Sequence, residues 1–368
     1  MLLMARLHVM IAAALCLPLV TEAFLPGGVR SSRSYLQRTA TPVDEGEEGV
    51  QESTLDGKTP KLAFKPKQSL GQNYLSDQNY VLKICNALGE GSNEAAREEA
   101  KAIAAEGGGN RVVELGPGAG ALSRVLVDRY PKMLAIELDG RAIELLGDSL
   151  PQLTVLESDV LQVDYRAIAE IRGGPLVVVG NLPYYITSQI LFSFVDCAPT
   201  VRRAVVTMQW EVAQRIVAKP GTKDYGILSV VFQLYTKPRV NFKIPPTVFY
   251  PQPKVDSALC TIDFVDEREP FPCAAADLRR VITTAFQQRR KMLRQSLKKL
   301  IADARRTRNK EAAPDAEPWK LPDEWGTKRP EQLEPQQFLE LTLLIYGPKP
   351  ERLEGETRVW RHERHGDW

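Results

Sequence analysis

The chain has 368 residues, 43% of them hydrophobic, which is enough for one large domain or two modest domains with a sizeable core. Its formal net charge of +2 at pH 7 is nearly balanced, so overall charge favours no particular class of partner. The three histidines lie near the ends of the chain and the five cysteines are widely scattered, which argues against a histidine-based triad, a metal site and a disulfide framework.

The first 61 residues are predicted to lie outside the fold. Residues 1–23 carry an early arginine, a short apolar run and a small final residue, which is typical of a secretory signal. Residues 24–43 are basic and rich in Ser and Thr, as in a transit peptide, and residues 44–61 form an acidic linker. This order resembles the bipartite leader of algae with secondary plastids, so we expect a plastid location, with the mitochondrion as the alternative. The rest of the chain has no run that is long and apolar enough to span a membrane, which predicts a mature protein without a membrane segment.

Two predicted helices precede a strand and a glycine-rich turn. Asp77–Leu88 and Glu94–Ala105 have helical spacing or composition, and both end at glycines. Arg111–Leu115 reads as a strand that runs into Gly-Pro-Gly-Ala-Gly at 116–120, and the next helix is predicted at 121–128. The spacing differs from the GxGxxG of dinucleotide binders, but a glycine turn between a strand and a helix lets the backbone approach a ligand closely.

Acidic residues accompany the ends of three successive predicted strands. Glu114 precedes the glycine turn, Glu137 lies in the strand Met133–Asp139, and Asp159 follows the strand Leu153–Leu156. A carboxylate about twenty residues after such glycines typically binds the ribose hydroxyls of a nucleoside cofactor. Asp159 or its backbone neighbour is placed to accept a hydrogen bond from an adenine amine. The simplest interpretation of any one of these acids alone is a solvated charge at the end of a strand. Three acids at successive strand ends, together with the glycine turn, favour a nucleoside-cofactor site.

A fourth predicted strand, Val177–Gly180, delivers Asn181-Leu182-Pro183-Tyr184 to its carboxyl end. Asn181 offers an acceptor oxygen, and Pro183 biases Leu182 towards extended backbone, which leaves the Leu182 carbonyl free to accept. Tyr184 offers a flat face for stacking. Two acceptors and an aromatic face suit a planar base that carries an exocyclic amine, although the four residues alone are equally consistent with an ordinary turn.

The later elements continue an alternating pattern of strands and helices. The predicted helices are 188–195 and 211–218, and the predicted strands are 203–208, 227–235, 240–244 and 258–264. The alternation predicts a doubly wound α/β domain over residues 62–265. Beyond it the predicted helices are 274–286, 290–301 and 335–346, with a loop at 307–328. We therefore expect a small helical domain over residues 266–346 and a flexible tail over residues 347–368.

Seven motifs occur in order along the chain. They are Gly-Gln-Asn-Tyr-Leu at 71–75, Glu-Leu-Gly-Pro-Gly at 114–118, Glu-Leu-Asp at 137–139, Asn-Leu-Pro-Tyr at 181–184, Tyr-Gly with Leu-Ser at 225–229, Pro-Gln-Pro-Lys-Val-Asp-Ser at 251–257, and Phe-Gln-Gln-Arg-Arg-Lys at 286–291. With this set the chain resembles the ribosomal RNA small-subunit adenine N6,N6-dimethyltransferases, and among them most closely the bacterial and organellar members. The resemblance implies a class I S-adenosylmethionine-dependent methyltransferase, with a Rossmann-like doubly wound sheet and a small C-terminal helical domain.

The resemblance also implies roles for individual residues. The residues expected to bind S-adenosylmethionine are Asn73, Leu75, Gly116, Gly118, Glu137, Asp159 and Asn181. The residues expected to form the catalytic site are Asn181, Leu182, Pro183, Tyr184 and Phe249. Within this set, Asn181 and the Leu182 carbonyl would hold the target N6, and two aromatic rings, Tyr184 and Phe249, would sandwich the base.

The implied substrate is small-subunit rRNA in a pre-30S-type particle, dimethylated at two adjacent adenosines of its 3′-terminal hairpin by a monomeric enzyme. The basic residues expected to contact its phosphates are Arg289, Arg290, Lys291 and Arg294. The alternative interpretation of this basic run is a solvated helix face. Phosphate contacts of this kind would make the affinity for RNA depend on salt.

Two other functions fit the same motifs. One is a non-catalytic ribosome-assembly factor, or a mitochondrial transcription factor, that retains the fold. The intact acids, glycines and Asn-Leu-Pro-Tyr segment favour the enzyme. The other is a large-subunit rRNA adenine methylase, against which the motifs at 251–257 and 286–291 favour the small-subunit branch. Tyr185 departs from the family pattern directly after the Asn-Leu-Pro-Tyr segment.

Overall fold

A computed structural model of the chain describes residues 66–67, 71–89, 108–198, 200–264, 271–311 and 319–348. The strands are β1 (Tyr74–Leu75), β2 (Val112–Leu115), β3 (Leu134–Glu137), β4 (Thr154–Glu157), β5 (Leu176–Asn181), β6 (Val201–Gln209), β7 (Thr236–Ile244), β8 (Phe249–Tyr250) and β9 (Ser257–Phe264). The helices are α1 (Gln78–Ala87), α2 (Ser123–Arg129), α3 (Gly140–Ser149), α4 (Tyr165–Ile171), α5 (Thr187–Asp196), α6 (Trp210–Ile216), α7 (Ile227–Tyr235), α8 (Ala275–Gln287), α9 (Leu293–Ser296), α10 (Lys298–Glu311), α11 (Asp323–Gly326) and α12 (Pro335–Tyr346).

Among the described residues, seven strands form one sheet in the order β4-β3-β2-β5-β6-β9-β7. The strands from β4 to β6 are parallel, and β9 runs antiparallel between β6 and β7. The chain moves outward in one direction from β2 to β4 and then returns to place β5 on the other side of β2. Reversals of this kind leave a crevice at the carboxyl ends of the two central strands, where ligands bind in open α/β sheets. The predicted α/β class and doubly wound sheet are confirmed.

Apolar side chains cover both faces of this sheet. Side chains alternate along each strand, so Val178 contributes to one core cluster while Val177 and Val179 contribute to the other. Helices α5, α7, α8 and α12 supply the first cluster, and α1, α2 and α3 supply the second. The helices beyond residue 271 therefore pack against the same core as the sheet. The predicted boundaries near 62 and 265 fall outside the described residues and stay predictions.

The strand predicted at 227–235 is wrong, because these residues form helix α7. Its sequence is an almost continuous apolar run, and Val230, Val231, Phe232 and Leu234 are all buried. When every face of a short segment is apolar, periodicity cannot separate a buried helix from a strand. The following strand therefore begins at Thr236 rather than at residue 240.

The C-terminal region also differs from the prediction in detail. The helix predicted at 290–301 is divided into α9 and α10. The loop predicted at 307–328 is partly helical, since α10 continues to Glu311 and α11 covers Asp323–Gly326. The helices α3 and α4 and the short antiparallel pair β1–β8 were not predicted. The predicted leader, the helix predicted at 94–105 and most of the predicted tail lie outside the described residues.

No helix within the described ranges is long and apolar enough to cross a membrane. The four described cysteines are free thiols, and Cys85, Cys260 and Cys273 are buried. Burial raises the pKa of the Cys85 and Cys260 thiols to about 12. These cysteines therefore behave as small core side chains.

Candidate active site

A pocket of about 210 Å³ opens in the crevice at the carboxyl ends of β2, β3 and β5. The predicted site residues that line it are Asn73, Gly116, Gly118, Glu137, Asp159, Asn181, Leu182, Pro183 and Tyr184. The structure thus brings the expected cofactor residues other than Leu75, together with the Asn-Leu-Pro-Tyr segment, into one cavity. Leu75 and Phe249 are not among the described residues that line it.

Leu75 and Phe249 lie together beside the pocket. They are partners in the β1–β8 pair, and their side chains are only 8% and 2% exposed. Both belong to the apolar cluster on that face of the sheet. In this structure both side chains are buried in that cluster, and the stacking of Phe249 on a target base stays a prediction.

The glycine turn after β2 adopts a backbone that other residues rarely adopt. Gly116 and Gly118 have φ values of 62° and 53°. A Cβ atom on Gly118 would lie 2.5 Å from Cε1 of Tyr74, whereas a Cβ on Gly116 would meet no atom within 4 Å. The Tyr74 ring therefore packs directly on the turn, and the backbone at Gly116 faces open space at the pocket.

Glu137 is held rigidly at the end of β3. Its Oε2 accepts a hydrogen bond from the Gly118 N–H at 2.9 Å, and its Oε1 accepts from the N–H groups of Leu138 and Asp139 at 2.8 and 2.9 Å. A carboxylate has about four acceptor positions, so these three bonds leave one position on Oε2. The pocket-lining carboxylate can thus receive a ribose hydroxyl without losing its backbone contacts.

Asp159 supplies a second acceptor to the pocket. Its Oδ1 accepts a hydrogen bond from the Leu161 N–H at 2.9 Å, and its Oδ2 accepts none from the described part of the chain. Ile136, Val160 and Leu161 add apolar surface to the same cavity. Acceptors for hydroxyl and amine donors beside apolar walls suit a planar nucleoside, so these residues fit the predicted cofactor.

Sequence reasoning missed the role of Asp139 and Gln72. Asp139 is 2% exposed and accepts hydrogen bonds from Arg141, Gln72 Nε2 at 3.1 Å and Lys67 Nζ at 3.2 Å. The hydrogen bonds from Arg141, with those from Gln72 and Lys67, hold the pKa of Asp139 well below its usual range. Gln72 also lines the pocket, so Asp139 anchors the segment before β1 against the end of β3.

The Asn-Leu-Pro-Tyr segment is tied to three other parts of the protein. The Asn181 Nδ2 donates to the carbonyl oxygen of Asn73 at 2.6 Å, and the Asn181 Oδ1 accepts from the Thr207 hydroxyl. The Tyr184 hydroxyl and Ser257 Oγ form a hydrogen bond of 2.5 Å. Burial raises the pKa of Tyr184, so its hydroxyl stays neutral at ordinary pH.

Tyr185, the residue directly after the Asn-Leu-Pro-Tyr segment, lies at the mouth of this pocket. Its side chain is 61% exposed, yet it lines the cavity. A Cβ on Gly71 would lie 2.8 Å from Cδ1 of Tyr185, so the ring packs on the backbone at Gly71. Tyr185 therefore links the Asn-Leu-Pro-Tyr segment to the segment before β1.

Glu114 does not reach the pocket, although it is the first of the three predicted acids. It is 1% exposed, and its Oε2 accepts a hydrogen bond from Ser123 Oγ at 2.7 Å. Burial raises the pKa of Glu114 to about 7, an effect that the bond from Ser123 opposes. Glu114 is thus a core carboxyl beside the glycine turn, and its protonation matters for stability.

We expect stability to fall with rising pH because of Glu114. The folded pKa is about 7, against 4.5 ordinarily, so between these values the unfolded chain releases a proton that the folded chain retains. The resulting stability is fully present below pH 4.5 and is lost by about pH 7, at up to about 1.4 kcal/mol per pH unit. A Glu114→Gln variant keeps the size and cannot titrate. We expect the free energy of unfolding of this variant, minus that of the wild type, to increase by on the order of 3 kcal/mol between pH 5 and pH 7.5. Urea denaturation at each pH measures both free energies. The same pH dependence in the variant and the wild type would contradict this role of Glu114.

A second, basic cleft lies between the loop after α6 and the helical region. Its lining residues are Gly221, Thr222, Lys223, Phe286, Gln287, Gln288, Arg289, Arg290, Lys291, Arg329 and Glu331. Arg290, Lys291 and the nearby Arg294 are exposed. These three cations of the predicted RNA-binding set are available to an anionic partner.

Arg289 has a different place from the other predicted RNA-binding residues. Its guanidinium bonds Glu331 at 2.9 Å and also donates to the backbone carbonyls of Thr222 and Lys223. The Gly221 N–H donates to the Glu331 carbonyl at 2.6 Å. Arg289 thus fastens the loop after α6 to the turn before α12, and a phosphate would have to compete with these bonds.

The chain is similar to a family of known proteins over most of its length. The family described as "Ribosomal RNA adenine dimethylase" matches residues 63–318. A "Ribosomal RNA small subunit methyltransferase A" from Salinibacter ruber is 43% identical over 280 residues, which cover 76% of this chain and 85% of the relative. A protein of the same name from Prosthecochloris aestuarii is 39% identical over 232 residues, 63% of this chain and 81% of the relative. The crystal structure of a dimethyladenosine transferase from Plasmodium falciparum shares the fold, with a TM-score of 0.57 and 22% identity over 73% of this chain and 95% of that chain.

Proposed function

The chain belongs to the ribosomal RNA adenine dimethylase family, and on this premise we propose how its pocket performs the reaction. The protein is an S-adenosylmethionine-dependent rRNA adenine dimethyltransferase. One observation carries the assignment of the site: the Asn-Leu-Pro-Tyr segment and the carboxylate of Glu137 open into the same cavity. One end of the cavity suits the nucleoside part of the cofactor, and the other suits a base with an exocyclic amine.

The chemical difficulty of the reaction is the weak nucleophilicity of adenine N6, whose lone pair is delocalised into the ring. Two acceptors on the N6 hydrogens, the Asn181 Oδ1 and the Leu182 carbonyl, would favour a more pyramidal and reactive amine. When bound, S-adenosylmethionine supplies an electrophilic methyl group. The protein would accelerate the reaction further by holding the amine in line with that methyl group.

The target adenine must leave its stack to reach the pocket. Tyr184 lines the cavity, and its ring is fixed by the hydrogen bond between its hydroxyl and Ser257 Oγ. Stacking of a base on an aromatic ring is worth about 1–3 kcal/mol, which offsets part of the cost of unstacking. The fixed Tyr184 ring would therefore stabilise a flipped base inside the pocket relative to one exposed to solvent.

The finer identity of the substrate is part of the proposal. We infer that the enzyme dimethylates two adjacent adenosines in the 3′-terminal hairpin of small-subunit rRNA, that its substrate is a pre-30S-type particle, and that it acts as a monomer. The location proposed is the plastid, which rests on the composition of residues 1–43 alone. A fusion of residues 1–61 to a fluorescent protein would test the location, since mitochondrial or cytosolic fluorescence would reject it.

Methyl transfer to ribosomal particles tests the proposed activity. Residues 62–368 would be incubated with labelled S-adenosylmethionine and with undermethylated bacterial 30S or 50S subunits, and the modified nucleosides would be identified by mass. We expect N6,N6-dimethyladenosine from the 30S subunit only. Dimethyladenosine from the 50S subunit would favour the large-subunit methylase, and cofactor and particle binding without transfer would favour an assembly factor.

We expect the exposed cations in and near the basic cleft to bind rRNA phosphates. Each of Arg290→Gln, Lys291→Gln and Arg294→Gln should reduce the slope of log K against log salt by about 1, because one phosphate contact is lost. Lys132→Gln is the matched control, since Lys132 is an exposed cation just before β3 that lines neither the pocket nor the basic cleft. Filter binding of the 3′-terminal hairpin at several salt concentrations measures the slopes. If all three variants gave the same slope as the wild type, the result would favour the alternative interpretation, in which these residues form a solvated helix face.

A further inference from the structure

The side chain of Asn181 is bonded at both ends before any substrate arrives. The parallel β5–β6 register places Asn181 opposite Thr207, at the carboxyl ends of the two strands. Thr207 is fully buried, and its hydroxyl donates to the Asn181 Oδ1. On the other side, the Asn181 Nδ2 donates to the Asn73 carbonyl at 2.6 Å.

These two bonds leave only one arrangement of the amide. A backbone carbonyl can only accept, so the NH2 group of Asn181 must face Asn73. The amide oxygen then faces Thr207, whose hydroxyl must be the donor. A rotation of the amide by 180° would set NH2 against the hydroxyl and oxygen against the carbonyl of Asn73. The rotated amide is unfavourable, because the Asn181 oxygen and the Asn73 carbonyl oxygen would then face each other with no proton between them.

The fixed orientation determines what the pocket offers to the substrate. An amide oxygen has two lone pairs, and Thr207 occupies one of them. The other lone pair remains for a hydrogen of the target amine, whereas a rotated amide would present a donor to a donor. Thr207 does not line the pocket, so its effect on the substrate must pass through Asn181.

We propose that Thr207 is a positioning residue for methyl transfer: its buried hydroxyl holds the Asn181 oxygen towards the target amine. This inference rests on the proposed function of Asn181. It adds a residue on β6 to the site, and no motif in the sequence contains that residue. The backbone carbonyl of Asn73 fixes the other end of the same amide by accepting a hydrogen bond from Asn181 Nδ2.

The sheet also contains a matched pair of residues away from the pocket. Thr261 on β9 is fully buried, and its hydroxyl donates to the Asn241 Oδ1 at 2.9 Å. Neither residue lines the pocket. Thr261→Val therefore removes the same kind of buried bond as Thr207→Val, without touching the site.

The test compares Thr207→Val, Thr207→Ser and Thr261→Val in steady-state methyl transfer. We expect Thr207→Val to lower kcat about tenfold, as the loss of one net hydrogen bond predicts, with KM for S-adenosylmethionine unchanged. Thr207→Ser should restore kcat to within about twofold of wild type, and Thr261→Val should leave kcat unchanged while lowering Tm like Thr207→Val. An equal kcat for Thr207→Val and wild type, or an equal loss in the Ser and Val variants, would overturn the proposal.

A second readout does not depend on turnover. The Asn181 side-chain amide signal, identified in ¹⁵N-labelled protein by its loss in Asn181→Ala, should show one strongly bonded proton in wild type and in Thr207→Ser. In Thr207→Val it should shift towards the position of a free amide, and an unchanged signal would overturn the proposal. If the wild-type chain transferred no methyl group, the proposed function would fail, and the amide signal would decide the role of Thr207.

Discussion

Replacing Asn181 with alanine is expected to lower kcat for methyl transfer by on the order of 10²–10³-fold, the range for removing one preorganised polar group from an active site. The Kd for S-adenosylmethionine should change only a few-fold, because Glu137, Asp159 and the glycine turn remain. Single-turnover kinetics and calorimetry measure the two quantities. Retained turnover would refute the proposed hold on the target amine.

The control for this variant is Asn241→Ala. Both asparagines accept a hydrogen bond from a buried threonine on a neighbouring strand, but only Asn181 lines the pocket. Both substitutions leave a threonine hydroxyl without its partner and should cost about 1–3 kcal/mol of stability. Only Asn181→Ala should affect kcat, so a similar loss in both variants would point to a general loss of structure.

Replacing Glu137 with alanine is expected to weaken binding of S-adenosylmethionine at least about 100-fold. The variant loses an acceptor for the ribose and also releases the backbone N–H groups of Gly118, Leu138 and Asp139. Hydrogen bonds to charged groups are worth about 1.5–3 kcal/mol each, and loosening the glycine turn adds to the loss. Isothermal titration calorimetry measures the Kd directly.

The control for Glu137 lies on the adjacent strand. Glu157 is the β4 partner of Glu137 in the parallel register, but its side chain is exposed and does not line the pocket. Glu157→Ala removes the same charge at the same level of the sheet and should leave the Kd unchanged. If the Kd for S-adenosylmethionine were unchanged in Glu137→Ala, Glu137 would not be the residue that binds the ribose.

Much of the site follows from the sequence, because local patterns determine where strands end. Buried strands were recognised from their apolar residues, and the glycines and acids follow those strands at the carboxyl edge of the sheet. Glu137, Asp159 and Asn181 were therefore expected at one edge, and the structure places them around one pocket. The helix α7 escaped prediction because its apolar run has no visible period.

The supporting contacts could not be predicted, because they join residues that are distant in sequence. Thr207 meets Asn181 across 26 residues through the β5–β6 register, and Arg289 meets Glu331 across 42 residues. Neither contact has a motif. The predicted RNA-binding residues illustrate the difference. The sequence does not distinguish Arg289 from Arg290, whereas in the structure Arg289 bonds Glu331 and Arg290 is exposed.

The position of the modified nucleosides in rRNA tests the central claim most directly. After reaction of residues 62–368 with undermethylated 30S subunits, the 3′-terminal rRNA fragment would be released by nuclease and sequenced by mass spectrometry. We expect two adjacent N6,N6-dimethyladenosines in the terminal hairpin with the wild-type chain and none with Asn181→Ala. Dimethyladenosine elsewhere in the rRNA, or an unmodified hairpin with the wild-type chain, would contradict the account.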